Sequence, residues 1–167
     1  MTNPNPEHLL DRAERLIASA RGAPRQVDLR RAISDAYYAL FHAASAAVAD
    51  EFVGTSKQSS PLYGLVYRRI EHRPLRQLCE DISRRMIPSK YLPYFPQRGP
   101  GGGVLEFAAA VADLQPKRHA ADYDPALRVS VSDARLAIDT ARRAVSEFHT
   151  QRRWRQEFLT LLLFPPR

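Results

Sequence analysis

VDLRRAISDAYYALFHAASAAVAD, residues 27–50, decides how the rest of the chain is read. Neither Gly nor Pro interrupts it, and its Ala and Leu content suits a helix. Turning each residue by about 100° sorts the side chains into three stripes. Ile33, Tyr37, Leu40, Phe41, Ala44, Ala47 and Val48 form an apolar stripe. Ala32, Ala36, Ala39, Ala43 and Ala46 form a stripe of methyl groups, where a second helix can approach closely. Arg31, Ser34, Asp35, Tyr38, His42 and Ser45 form the third. A surface helix needs one apolar stripe and a solvated face. Two packing faces predict a central helix. The polar stripe mixes a guanidinium, a carboxylate, a phenol, an imidazole and hydroxyls, so it is either a site or a hydrogen-bonded seam.

Working outward, the flanking sequence is also helical. Asn5 is placed to cap a helix with Pro6 in its first turn and Glu7 near its positive end. Leu9, Leu10, Ala13, Leu16, Ile17 and Ala20 recur at helical spacing, and Gly22 and Pro24 end the run. After the central helix, residues 54–60 are a polar connector. Ser60 with Pro61 then starts a helix carrying Leu62, Leu65, Val66 and Ile70. Pro74 interrupts it and residues 75–85 resume, which predicts two short helices or one kinked one. Residues 87–103 lose all periodicity. They hold Pro88, Pro93, Pro96, Pro100, Gly99 and Gly101 to Gly103, with Tyr91, Tyr94 and Phe95 among them. Such a loop is functional or mobile. Its glycines lack a following Gly-Lys-Ser/Thr and make no P-loop. Residues 104–114 predict a helix closing near Pro116, followed by KRHAADYDP at 117–125. Ser130 or Ser132 caps the last helix, whose seam is Ala134, Ile138, Ala141, Val145 and Phe148. QRRWRQEFLTLLLFPPR, residues 151–167, is basic first and then apolar. No segment reads as a strand. The prediction is an all-α bundle of four to six helices over residues 1–150 with a long Pro/Gly loop, and a tail at 151–167.

The net charge is +7 and the pI about 10.0, a balance that favours anionic partners, nucleic acid above all. Only Lys57, Lys90 and Lys117 are Lys; the other basic residues are Arg, which can fork two hydrogen bonds onto a phosphate. A genome base-composition bias would produce the same excess. The single cysteine, Cys79, excludes an intramolecular disulfide and a Cys-based zinc cluster. No His-Glu spacing suggests a metal site, no cofactor motif is present, and a Ser-His-Asp hydrolase would need a strand-borne nucleophile elbow. The N-terminus does not read as a signal peptide. The apolar run 159–164 is too short to span a bilayer, so the expected setting is cytoplasmic with no membrane.

Two stretches carry a family resemblance. One is Ser34, Ala36, Tyr37, Tyr38, Ala39, Phe41 and His42 on the long helix. The other is Arg118, His119, Asp122, Tyr123 and Asp124 ahead of the last helix. In order and spacing, residues 6 to 150 resemble the HEPN superfamily of small helical nucleotide- and nucleic-acid-binding domains. The resemblance implies a bundle of four or more helices, often a homodimer, with the two motif regions facing one cleft. It implies RNA or a nucleotide as ligand. Its ribonuclease members cut RNA without metal, an Arg holding phosphate charge and a nearby His moving protons. Here the expected His position holds Asp122 and Tyr123, and His119 is the nearby imidazole. The candidate catalytic residues are therefore Arg118, His119 and His42. Candidate phosphate contacts are Arg118, Arg31, Ser34, Tyr38, Asp122 and Tyr123. By resemblance the setting is stress response, toxin–antitoxin or anti-phage defence, with a nucleotidyltransferase-like antitoxin as cognate partner. The rival reading is a non-catalytic dimeric protein-interaction module.

Each of these residues also has a plainer reading. A His beside Tyr and Ser on a central helix is often a structurally satisfied histidine. Arg118 and Asp122, four apart, can simply pair with each other. The Arg142/Arg143 and His149 spacing also fits the loose ribonuclease motif, but an Arg-rich chain gives such matches by chance. Tyr91, Tyr94 and Phe95 could stack on bases or anchor their loop. Trp154, Phe158, Leu161 and Leu162 close the core or form an oligomer contact. With the Ala-rich stripe, they are the basis for expecting a homodimer.

Overall fold

The stretch read as central becomes the longest helix in a computed structural model of the chain, which describes residues 4–18, 22–95 and 99–166, with Arg153 through its backbone alone. The predicted helical position Ala20 and the loop residue Pro96 lie outside the described residues. The regular elements among the described residues are all helices: α1 (Pro6–Ala18), α2 (Gln26–Phe52), α3 (Pro61–Tyr67), α4 (His72–Ile82), α5 (Gly102–Tyr123), α6 (Val131–Thr150) and α7 (Arg152–Leu163), with short 3-10 turns at Thr55–Lys57 and Ser89–Tyr94. Helices α1, α5 and α6 surround α2, and α4 packs on α5, which makes a five-helix bundle. Helix α3 lies across the C-terminal half of α2, and α7 closes one end.

All three stripes of α2 are used. Ala32, Ala36, Ala39 and Ala43 are buried against neighbouring helices, as are Ile33, Tyr37 and Leu40. The polar stripe is a seam in part. Asp35, with no exposed side-chain surface, accepts from Arg12 of α1 through both carboxylate oxygens at 2.7 Å and pairs with Arg31 at 3.0 Å. A buried carboxylate is tolerated because two guanidinium groups replace its water.

The predicted caps form. Asn5 Oδ1 accepts from the Glu7 amide, Ser60 Oγ from the Tyr63 amide, and Ser130 with Asp133 builds a reciprocal capping box. Two boundaries differ from expectation, both at prolines. The break between α3 and α4 falls at residues 68–71, and Pro74 sits in the first turn of α4, where its missing N–H costs nothing. Helix α5 does not close at Pro116 but runs through it to Tyr123. The lost hydrogen bond is outweighed on the far side. Ala121 is buried, and Arg30 of α2 donates at 2.7 Å to the carbonyls of Ala121 and Asp124. The motif expected to follow the end of this helix is therefore part of it through Tyr123, so Arg118 and Asp122 share one face of α5.

The glycine run after the loop serves packing. A Cβ at Gly101 would collide with the indole of Trp154, and one at Gly103 would lie 2.8 Å from the Glu147 carbonyl oxygen. Tyr91 and Phe95 are buried, and the Tyr91 hydroxyl donates to Asp81 at 3.4 Å, so these aromatics anchor the loop; Tyr94 is exposed. Phe158 packs among Phe107 and Phe148, with Leu159, Leu161 and Leu162 buried beside it. The apolar tail closes the core of its own chain. Both features on which a homodimer was expected, this tail and the Ala stripe, are covered from within.

Candidate functional site

Four elements meet where α5 crosses the polar stripe of α2. Arg118 projects from α5, and its Nη2 donates to the Tyr38 hydroxyl of α2. Its guanidinium also stands 5.0 Å from the centre of the Tyr38 ring and 5.9 Å from that of Tyr123. One turn on, Asp122 Oδ2 lies 2.8 Å from Arg118 Nε as an ion pair, although that N–H points away from the line of a hydrogen bond. The second carboxylate oxygen accepts from Ser34 Oγ at 2.5 Å. Ser34 therefore fixes Asp122, and Asp122 with Tyr38 fixes Arg118. Only 15% of the Arg118 side chain is exposed. Burial opposes its charge, yet Tyr38, Asp122 and Tyr123 together raise its pKa above the ordinary value. Its Nη1 makes no hydrogen bond among the described residues. The group is a permanent, oriented cation with donors to spare.

Two imidazoles flank the same Tyr38 ring. His42, one turn along α2, is stacked at 6.2 Å, and His72, the first residue of α4, meets it edge-on at 6.0 Å. The His72 ring also packs 4.0 Å from that of Phe41. Each imidazole is tied to a buried phenol: His42 Nδ1 is 2.7 Å from the Tyr67 hydroxyl, and His72 Nδ1 is 2.8 Å from that of Tyr37. Tyr37 has no exposed surface, and burial pushes its pKa up, so it keeps its proton and must donate it. Its one described hydrogen-bond partner is His72 Nδ1, which fixes His72 as the neutral tautomer with hydrogen on Nε2. Tyr67, buried and pushed up to about 12, holds its proton too. Burial lowers the pKa of both histidines. The neighbouring His72 adds to the effect on His42, and Arg118 adds to that on His72. At neutral pH the cleft thus presents one fixed cation and two uncharged rings.

Ser34, Tyr38, His42, Arg118, Asp122 and Tyr123 come together as the resemblance implied. Arg31 and His119 stand apart. Arg31 is half-exposed, paired with Asp35, and lines a neighbouring groove of about 390 Å³ with Gln26, Arg30 and Asp122. His119 is exposed on α5 with its ring 5.0 Å from Tyr123, and it has no described contact with Tyr38 or His42. The other motif match, Arg142/Arg143 with His149, forms no site: Arg142 pairs with Glu7, Asp11 and Glu14 of α1, and Arg143 pairs with Glu106 of α5. His72 is the residue that sequence reasoning missed. Its place depends on α4 reaching Tyr37 and Phe41 from 35 and 31 positions away, which no local pattern encodes. Among the described residues no three His, Cys, Asp or Glu converge as metal ligands, and no helix is long and apolar enough to cross a membrane.

A five-helix bundle with a guanidinium held between its two longest helices defines the class of domain. The chain belongs to the HEPN domain family, whose model matches residues 6–151, from the start of α1 to the junction with α7. No curated protein and no solved structure matches the chain.

Proposed function

We propose that this HEPN protein binds RNA or a nucleotide by its phosphate, at the cleft formed by Arg118, Tyr38, His42 and His72. The observation that carries this reading is the clamping of Arg118. Tyr38 and Asp122 orient the guanidinium, and Nη1 has no hydrogen-bond partner among the described residues. Such a fork matches phosphate oxygens, and orienting it before the ligand arrives reduces the ordering cost of binding. The half-buried Tyr38 and the exposed Tyr123 and His119 offer ring faces beside it for a base.

Metal-independent RNA cleavage is the second reading, and it rests on His42. A 2′-hydroxyl attacking the adjacent phosphorus must lose its proton, and a neutral imidazole is the group that takes one up near pH 7. His72 is poorly suited, because protonating Nδ1 would strand the Tyr37 hydroxyl proton in the core. His42 Nδ1 is engaged in the same way by Tyr67, but Tyr67 keeps 7% exposure where Tyr37 has none, so its hydroxyl can turn its proton outward and accept from a protonated Nδ1. Replacing Arg118 by Lys keeps the charge and loses the fork, so affinity for a single-stranded oligoribonucleotide should fall about tenfold, equal to about 1.4 kcal/mol. His42→Gln should lower any cleavage more than binding. Each variant is to be titrated beside a thermal melt. Lower melting temperatures with unchanged affinity would make these residues a structural seam, and the non-catalytic interaction module would then be the better account.

A further inference from the structure

The segment joining α3 to α4 carries three arginines, Arg68, Arg69 and Arg73, all exposed and with no ion pair or hydrogen bond among the described residues. Arginines on the helices that bound the cleft are engaged, Arg31 by Asp35, Arg30 by carbonyls and Arg76 by Glu80; Arg15, Arg135 and Arg152, also exposed and without a described partner, lie on α1, α6 and α7, so what distinguishes the corner is its place beside the cleft. The one acidic side chain in this corner, Glu71, is exposed and pairs with none of the three. The corner is anchored to the cleft at both ends. Tyr67, immediately before Arg68, reaches His42; His72, immediately before Arg73, reaches Tyr37 and packs on Phe41. The Cα of Arg73 is therefore one chain step, about 3.8 Å, from that of His72 on the cleft wall, and the Cα of Arg68 is the same step from that of Tyr67, which backs His42. The Arg68 guanidinium lies back along α3 over Gly64, where no side chain stands in its way.

We propose that this corner is a second phosphate subsite continuous with the cleft, so that the ligand is a single strand several nucleotides long and not a mononucleotide. The inference rests on the reading of Arg118 as a phosphate anchor and extends it. One phosphate sits at Arg118, and the chain runs out over His72 to the three unpaired arginines. Nucleic acid fits better than an acidic peptide, because the path begins at Arg118 beside the uncharged rings of Tyr38, His42 and His72, whose faces serve bases and have no counterpart in a run of carboxylates.

The test uses the full chain and a labelled twelve-residue oligouridylate, with affinity followed by anisotropy from low to moderate salt. Arg68→Gln/Arg69→Gln/Arg73→Gln should weaken binding at least tenfold at low salt. It should also reduce the slope of log affinity against log salt by about 2, from roughly 0.7 for each of three single-strand phosphate contacts. The matched control is Arg15→Gln/Arg135→Gln/Arg152→Gln, three exposed arginines away from the corner, which should change affinity less than threefold. Equal losses in the two triple variants would reduce the effect to net charge and overturn the proposal. A corner variant that binds like the wild type, while Arg118→Lys binds weakly, would overturn the subsite and leave the cleft reading standing. Absence of binding by the wild type at low salt would overturn both. A twelve-residue polyglutamate bound as tightly as the oligouridylate would overturn the nucleic-acid assignment.

Discussion

The two imidazoles beside Tyr38 should make the protein lose stability as the pH falls through 6.5, and replacing them should remove that loss. Folding lowers the pKa of His42 and His72 below the ordinary 6.5. Well above pH 6.5 both rings are neutral whether the chain is folded or not, and they add no pH dependence. Below it the unfolded chain takes up protons that the folded protein resists, so stability falls with pH until the folded rings titrate in turn. One unit below the ordinary value, a ring kept wholly neutral by folding would cost about 1.4 kcal/mol, and two would cost about 2.8 kcal/mol. Both rings keep some contact with solvent, which screens them, so on the order of half that ceiling is the expected loss between pH 7.5 and 5.5. His42→Gln/His72→Gln retains a side-chain acceptor for each phenol and cannot titrate. The assay is urea unfolding of both proteins at pH 7.5, 6.5 and 5.5. His149, also lowered, is present in both and cancels in the comparison. The wild type should lose about 1–1.5 kcal/mol more than the double variant over that range. Parallel loss in the two proteins would refute the argument that burial and the Tyr37 and Tyr67 hydroxyls hold these rings neutral.

Two further substitutions test the packing that positions the cleft. Gly103→Ala sets a Cβ 2.8 Å from the Glu147 backbone oxygen, which cannot swing aside, so thermal unfolding should show a loss of about 1–3 kcal/mol; an unchanged melting temperature would mean that α5 and α6 are free to separate. Pro116→Ala restores a helical N–H in the interior of α5 and should raise stability, by up to about 3 kcal/mol, without moving Arg118; a fall in stability would show that the proline shapes the helix in a way the bundle needs.

The fold was readable because its governing signal is local. The three stripes of residues 27–50 and the caps at Asn5 and Ser60 depend on residues within a few turns of one another and appear where expected, and of the two serines open as the cap of α6 the structure uses Ser130. The family pattern was legible for the same reason, since its two halves are short runs on single helices. What misled was proline. Pro74 and Pro116 were both read as breaks. A first-turn proline lacks nothing that a helix needs, and an interior one can be outvoted by burial of Ala121 and by Arg30 on the terminal carbonyls. Those compensations come from other helices and leave no mark near the proline.

The cleft divides along the same line. Tyr38, His42 and Ser34 lie on one face by helical geometry, as do Arg118 and Asp122 once α5 is known to continue. That the two faces meet required the family resemblance. His72 had neither aid. His72, two residues ahead of the break read at Pro74, falls outside the helix expected from residue 75, and Tyr37, its partner, reads as core. Only the second reading holds: Tyr37 is core, whereas His72 opens α4. The link between the two comes from the core being slightly polar. A phenol with no exposed surface must send its proton somewhere, and the acceptor it finds is a ring on the wall of the cleft. The requirement that buried hydroxyls be satisfied thus reaches from the centre of the bundle to its surface. It sets which nitrogen of His72 carries hydrogen, and so turns a packing residue into a fixed donor beside Arg118.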